Sequence, residues 1–186
     1  MKSDKGFTLI EIVMVIMIVS VLSMAGYHIM RFMIQHSFFL PNQVQTDLVA
    51  ADALEIMVEG ELPDTRGLRY CKAVTALAAN QVDVTDQDDV ALRFRLDTGT
   101  GRLYRRIGAA AETQVPYYMP AGVVFSGSGG ALFRYYDGSN PEVVTATPTD
   151  VRRIQIDLIA QQGTGSVDNF QGRSVQSTSV KVNKYV

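Results

Sequence analysis

One carboxylate stands inside a run of residues otherwise suited to lipid. A short charged leader ending in Gly6 leads into Phe7-Thr8-Leu9-Ile10-Glu11 and then an almost unbroken apolar stretch to Tyr27. Between Phe7 and Leu22 there are about eleven Phe, Leu, Ile and Val residues, each favouring the bilayer by roughly 0.3–0.6 kcal/mol at a helix centre, about 3–7 kcal/mol together. An acidic side chain at the midplane costs roughly 3 kcal/mol on the same scale, and less near an interface. The segment therefore inserts despite Glu11. At about 1.5 Å per residue, Phe7 to Tyr27 spans about 31 Å, close to the hydrocarbon thickness. The expected element is one membrane-crossing helix, with Lys2 and Lys5 holding the leader in the cytoplasm and the rest of the chain outside.

Ionisable groups within membrane helices usually mark function, so Glu11 needs a partner. No Lys, Arg or His lies within a helical turn of it. A cut after Gly6 would give Phe7 a free α-amino group, and a neighbouring chain shifted by about one turn would bring that amine to the carboxylate. The pair would neutralise both groups in low dielectric and set the axial register of adjacent helices. This is the logic of an assembly subunit.

Gly6-Phe7-Thr8-Leu9-Ile10-Glu11, with the charged leader before it and the apolar run after it, resembles the processing site of type IV prepilins and pseudopilins. The resemblance implies that a prepilin peptidase/methyltransferase cuts after Gly6 and methylates Phe7, and that Glu11 is the acidic fifth residue of the mature chain. It also implies a pilin fold, a bacterial inner-membrane location with one span and a periplasmic head, and partners among major and minor pilins or pseudopilins and an inner-membrane assembly platform. Two other readings fit the first residues: a secretory signal cut after Ser23-Met24-Ala25, before Gly26, and an unprocessed anchor, either one carrying a globular protein outside any filament. The mature N-terminus separates them: Phe7, Gly26 or Met1.

Beyond the span about 160 residues remain, enough for one domain with its own core. The chain is 47% hydrophobic with a formal net charge of −2, which suits a soluble head and gives no general reason to expect a nucleic-acid partner. Its one cysteine, Cys71, allows no internal disulfide. Many pilins close a C-terminal loop with a cysteine pair and place a proline where His28 stands, so within the resemblance the chain looks like a minor subunit, close to J-class pseudopilins or W-like minor pilins.

The helical pattern is expected to run on. Apolar residues at Ile29, Met30, Met33 and Ile34, then Val44, Leu48, Ala51, Leu54 and Val58, recur at spacings of three and four, predicting an amphipathic half over 28–60 with that stripe buried. Pro41 is expected to kink or interrupt it, with Asn42 capping a restart. Gly60 and Pro63 end it.

Over 61–186 the period becomes two, the mark of a β-rich head. Leu92, Phe94 and Leu96 alternate with charged residues, Thr98 to Gly101 makes a turn, and Arg102 to Ile107 returns as a hairpin. Leu68 to Val74 is a weaker strand. Val123 to Phe125 and Leu132 to Tyr136, flanking Ser126 to Gly130, predict a second hairpin. Ile154 to Leu158 and Val175 to Val182 complete an antiparallel sheet covered by the helix, an α+β fold.

Residues with chemistry are few. Asp83, Asp86, Asp88 and Asp89 crowd a polar stretch that could offer oxygens to calcium, without EF-hand spacing; no other cofactor or metal is expected. Arg93, Arg95, Arg102, Arg105 and Arg106, with Tyr104, concentrate on the first hairpin, a candidate stripe for DNA phosphates or for a neighbouring subunit. His28 and His36 have no ligand-spaced companions, and neither a P-loop, a dinucleotide fingerprint nor a nucleophile elbow is present. The sequence predicts a structural protein, not an enzyme.

Overall fold

The computed structural model describes residues 8–61, 66–139, 141–163 and 171–182. It has the expected α+β layout. One helix, α1 (Leu9–Val58), is followed by nine described strands: β1 (Cys71–Ala78), β2 (Gln81–Asp86), β3 (Ala91–Asp97), β4 (Arg102–Ile107), β5 (Thr113–Val115), β6 (Val123–Gly127), β7 (Phe133–Tyr136), β8 (Arg153–Gln162) and β9 (Gly172–Lys181).

Pro41 does not interrupt α1, which runs through it for 50 residues. Proline removes one i→i−4 bond, a cost of about 3 kcal/mol, and the helix is held on both sides by longer apolar stretches. Asn42 caps nothing; its carbonyl accepts from the Thr46 hydroxyl at 2.6 Å, within the helix. The buried stripe also differs from the expected one. Thr46, Val49, Ala50, Ala53, Ile56 and Met57 face the head, whereas Val44, Leu48 and Ala51 are exposed. The small residues let the helix lie close to β9. A Cβ at Gly172 would stand 2.5 Å from the Asn42 carbonyl oxygen, so only glycine fits beneath this turn.

The strands form two sheets. The first has the order β1-β2-β3-β4-β5, all antiparallel, with the β3–β4 hairpin in the expected register, Leu96 opposite Leu103 and Asp97 opposite Arg102. The stretch Asp83 to Asp89, read as a polar segment, is in part strand β2: Val82 and Val84 are buried on one side while Asp83 points to the other. Leu68 to Tyr70 is a 3-10 turn, and the strand begins at Cys71.

The second predicted hairpin does not form. β6 and β7 do not pair with each other; both pair with the same edge of β8, Gly127 opposite Leu158 and Phe133 opposite Ile156. They act as one strand interrupted by a Gly-rich excursion. A Cβ on Gly127 would lie 2.1 Å from the Ala131 carbonyl carbon, so the glycine lets the excursion close on itself and resume in line. β9 pairs with the other edge of β8.

That excursion joins the sheets. The turn between β1 and β2 enters it: the amides of Leu132 and Phe133 donate to the Ala79 carbonyl at 2.8 and 2.9 Å, and the Asn80 carboxamide donates to Gly130 and accepts from Leu132 at 3.1 Å each. The Tyr135 hydroxyl lies 2.9 and 2.8 Å from the carbonyl oxygens of Ala78 and Gln81. Burial pushes this phenol up, above its usual range. One core links the buried face of α1 with Val82, Val84, Leu92, Phe94, Leu96 and Leu103 of the first sheet and Phe125, Phe133, Ile154, Ile156 and Leu158 of the second.

Candidate functional site

Among the described residues, the helix from Leu9 to Ile34 carries its apolar side chains uncovered by the head: Leu9, Ile10, Met14, Met17 and Leu22 are all more than half exposed. An 18-residue window of this helix has a mean hydropathy of 2.5 and is entirely unburied, long and apolar enough to cross a membrane. Side chains in this pattern are stable only in lipid or against other helices.

Glu11 has a partner that charge counting overlooks. Thr8 is the N-cap of α1: its hydroxyl accepts from the Glu11 amide at 3.4 Å, and Glu11 Oε2 accepts from the Thr8 amide at 2.9 Å and from its hydroxyl at 3.0 Å. This is a capping box, legible in the sequence as Thr-x-x-Glu before an apolar run. It places the carboxylate at the positive end of the helix dipole and satisfies amides that have no partner within the helix. The insertion cost of the acid falls accordingly. Further along, the rings of Tyr27 and His28 meet edge to face with centroids 5.9 Å apart, and those of Phe32 and His36 lie tilted at 4.2 Å.

The five arginines of the first hairpin do not share a face. Arg105, opposite Phe94, points into the head, is 6% exposed, and has Glu61 at 3.9 Å. Alternation along β4 requires this: if Arg102, Tyr104 and Arg106 face out, Arg105 faces in. On the outer face Arg93 forms a two-pronged pair with Asp83 at 2.7 and 2.6 Å. Arg95 bonds Glu112 at 2.7 Å and lies over the Tyr104 ring at 5.1 Å. The acidic candidates are dispersed among cations as well. Asp86 bonds Arg66 and the amides of Asp88 and Val90, Asp88 lies 3.2 Å from Arg66, and Asp89 bonds Lys72 at 2.7 Å. Among the described residues no three His, Cys, Asp or Glu side chains are grouped to hold a metal. Cys71 is buried, its thiol donating to the Ala73 carbonyl at 3.4 Å.

Comparison with known families decides between these features. Residues 1–27 match the prokaryotic N-terminal methylation motif. The chain carries the prepilin-type signal of type IV pilins and pseudopilins. No curated protein and no solved structure matches the chain. Such a signal implies processing by prepilin peptidase and assembly with other pilins, and points to a structural subunit. The matched stretch includes Gly6 and Phe7, which lie outside the described residues, and takes in Glu11 and most of the bare half of the helix, up to Tyr27. Signal and bare apolar helix thus coincide in one segment, which fits membrane anchoring.

Proposed function

We propose that this protein is a minor pilin or pseudopilin, incorporated at or near the tip of a type IV pilus or type II secretion pseudopilus. In this reading the leader is cut after Gly6, Phe7 is methylated, and the subunit waits in the bacterial inner membrane, crossing once, with its head in the periplasm. The spine from Phe7 to Glu59 then packs among the spines of neighbouring subunits, and Glu11 accepts the methylated amine of an adjacent chain. The observation that carries it is the coincidence of the methylation motif with an α1 half that is wholly bare of its own head. A phosphate-binding role for the arginine hairpin has less support, because Arg93 and Arg95 are already held by Asp83 and Glu112.

The test uses Glu11→Val. It should insert at least as well as wild type, since a penalty of up to roughly 3 kcal/mol disappears. It should assemble poorly, because an uncompensated charge inside a bundle costs about 3–5 kcal/mol. Crosslinking to other subunits is compared at equal processing and membrane levels. Undiminished assembly, or a wild-type N-terminus at Met1 or Gly26, overturns the reading.

A further inference from the structure

The last strand is an open edge. β9 pairs with β8 from Gly172 opposite Gln162 to Lys181 opposite Arg153 without a bulge, and among the described residues no other strand pairs with it. In an antiparallel ladder, successive residues turn their N–H and C=O groups alternately to one side and the other. Two observations fix which residues of β9 turn outwards. Asp157 of β8 donates its amide to the Leu132 carbonyl and accepts from the Ser128 amide, both on the far side, so its β9 counterpart Ser177 is not bonded to it. At the start of the strand, Gln43 of α1 takes hold of Arg173 from outside: Nε2 donates to the Arg173 carbonyl at 3.0 Å and Oε1 accepts from the Arg173 amide at 3.1 Å.

The Gln43 carboxamide does there what a peptide group of a further strand would do. By alternation the amides and carbonyls of Val175, Ser177, Ser179 and Lys181 face the same way, and among the described residues no hydrogen bond reaches them. A long, regular edge without proline, bulge or central charge is what natural sheets ordinarily avoid leaving open. There is room beside it. A cavity of about 290 Å³ lies on the helix side, lined by Val58, Arg69 and Thr178 to Lys181. On the other face Val175, 58% exposed, extends a strip with Ile159.

Charge disfavours self-pairing in the longest register. Were two copies to pair β9 with β9 about Ser177, Arg173 of each would meet Lys181 of the other, like charges opposed at both ends. We propose that the β9 edge receives an extended segment of a different subunit, about seven residues long, with an apolar side chain beside Val175 and an acidic one beside Lys181. The inference rests on the reading that the chain works in an assembly with other subunits, and it names the surface by which the head takes part.

The experiment uses the full chain produced with its neighbouring subunits. Val175→Pro and Ser179→Pro delete outward donors that β8 does not use, and an edge strand tolerates proline there; Ser177 is left intact because its hydroxyl donates to the buried Asp157 carboxylate at 2.6 Å. Both should melt like wild type yet enter the assembly about tenfold less, as should Lys181→Glu. Independently of any variant, hydrogen exchange should show a period of two in the isolated protein, with Gln176, Thr178 and Val180 slow and Ser177 and Ser179 fast. In the assembly the fast amides should slow by about tenfold or more. Normal entry of both proline variants, or outward amides as fast in the assembly as alone, overturns the proposal. Protection gained merely by concentrating the isolated chain indicates self-pairing and overturns it too. Assembly blocked by Glu11→Val but untouched by Ser179→Pro removes strand addition alone, whereas wild-type protein that joins no assembly removes both readings.

Discussion

Glu112 holds Arg95 flat against the outer face of the first sheet, and that pair makes a pH-dependent contribution. Its hydrogen bond with Arg95, and then the charges of Arg95, Arg93 and Arg106, lower the Glu112 carboxyl from its ordinary 4.5. A lowered carboxyl stabilises the fold above its unfolded value and loses that contribution as pH falls through the folded one. Glu112→Gln should therefore cost about 0.5–1 kcal/mol at pH 7 and nothing once the wild-type carboxyl is protonated. Urea denaturation of the head at neutral and acid pH reads the difference; an equal loss at both would mean the pair is not the cause. Tyr135→Phe tests the joint between the sheets. It strips the hydroxyl from the carbonyl oxygens of Ala78 and Gln81, and the head should lose roughly 0.5–1.5 kcal/mol in a single unfolding transition. Two separate transitions would show that the sheets unfold independently.

At the scale of elements, α1 has two apolar stripes. Thr46, Val49, Ala50, Ala53 and Ile56 meet the sheet, while Leu40, Val44 and Leu48 face away. Leu48→Ser should leave head stability within about 0.5 kcal/mol, whereas Ala53→Leu, forced into a packed interface, should cost about 1–3 kcal/mol. Denaturation of both variants decides it, and a large loss from Leu48→Ser would contradict the exposed stripe. This is also where reading the sequence reached its limit. Periodicity shows that a residue is apolar on a helical face but not whether it meets its own sheet or another molecule, so it puts Val44 and Leu48 on the sheet although both face away from it. The α+β layout, the β3–β4 hairpin and the β8 strand were legible because local alternation decides them. The β6–β7 break was not, since glycine-rich segments signal a change of course without saying which strand lies next to them. Of the candidate site, Gly6, Phe7 and Glu11 stand in one contiguous motif. The grip of Gln43 on Arg173 joins residues 130 apart, and no local pattern announces it.

Over the whole molecule, the head and the anchor are joined by a helix that belongs to both. Removing residues 1–27 takes away most of the apolar span but leaves Ile29, Met30, Phe32, Met33 and Ile34 on an uncovered stub. That fragment should fold with mixed helix and strand and self-associate as its concentration rises. A fragment beginning at Ser37 should keep the same strands and remain monomeric. Sedimentation and circular dichroism distinguish the outcomes, and an unfolded Ser37 fragment would place essential contacts in the segment before it.

The packing of α1 on β9 also sets a timetable. Val49, Ala53 and Ile56 leave the ribosome early, but the strand they lie on ends at Lys181, and at about 5–20 residues per second the intervening chain takes roughly 6–25 s to make. During that wait the bare half of the helix has long emerged while the stripe beside it has nothing to cover it. The part of the core between α1 and β9 then closes in one late event, when that strand arrives. Synthesis that halts before Gly172 would leave the buried face of α1 without the strand it lies on.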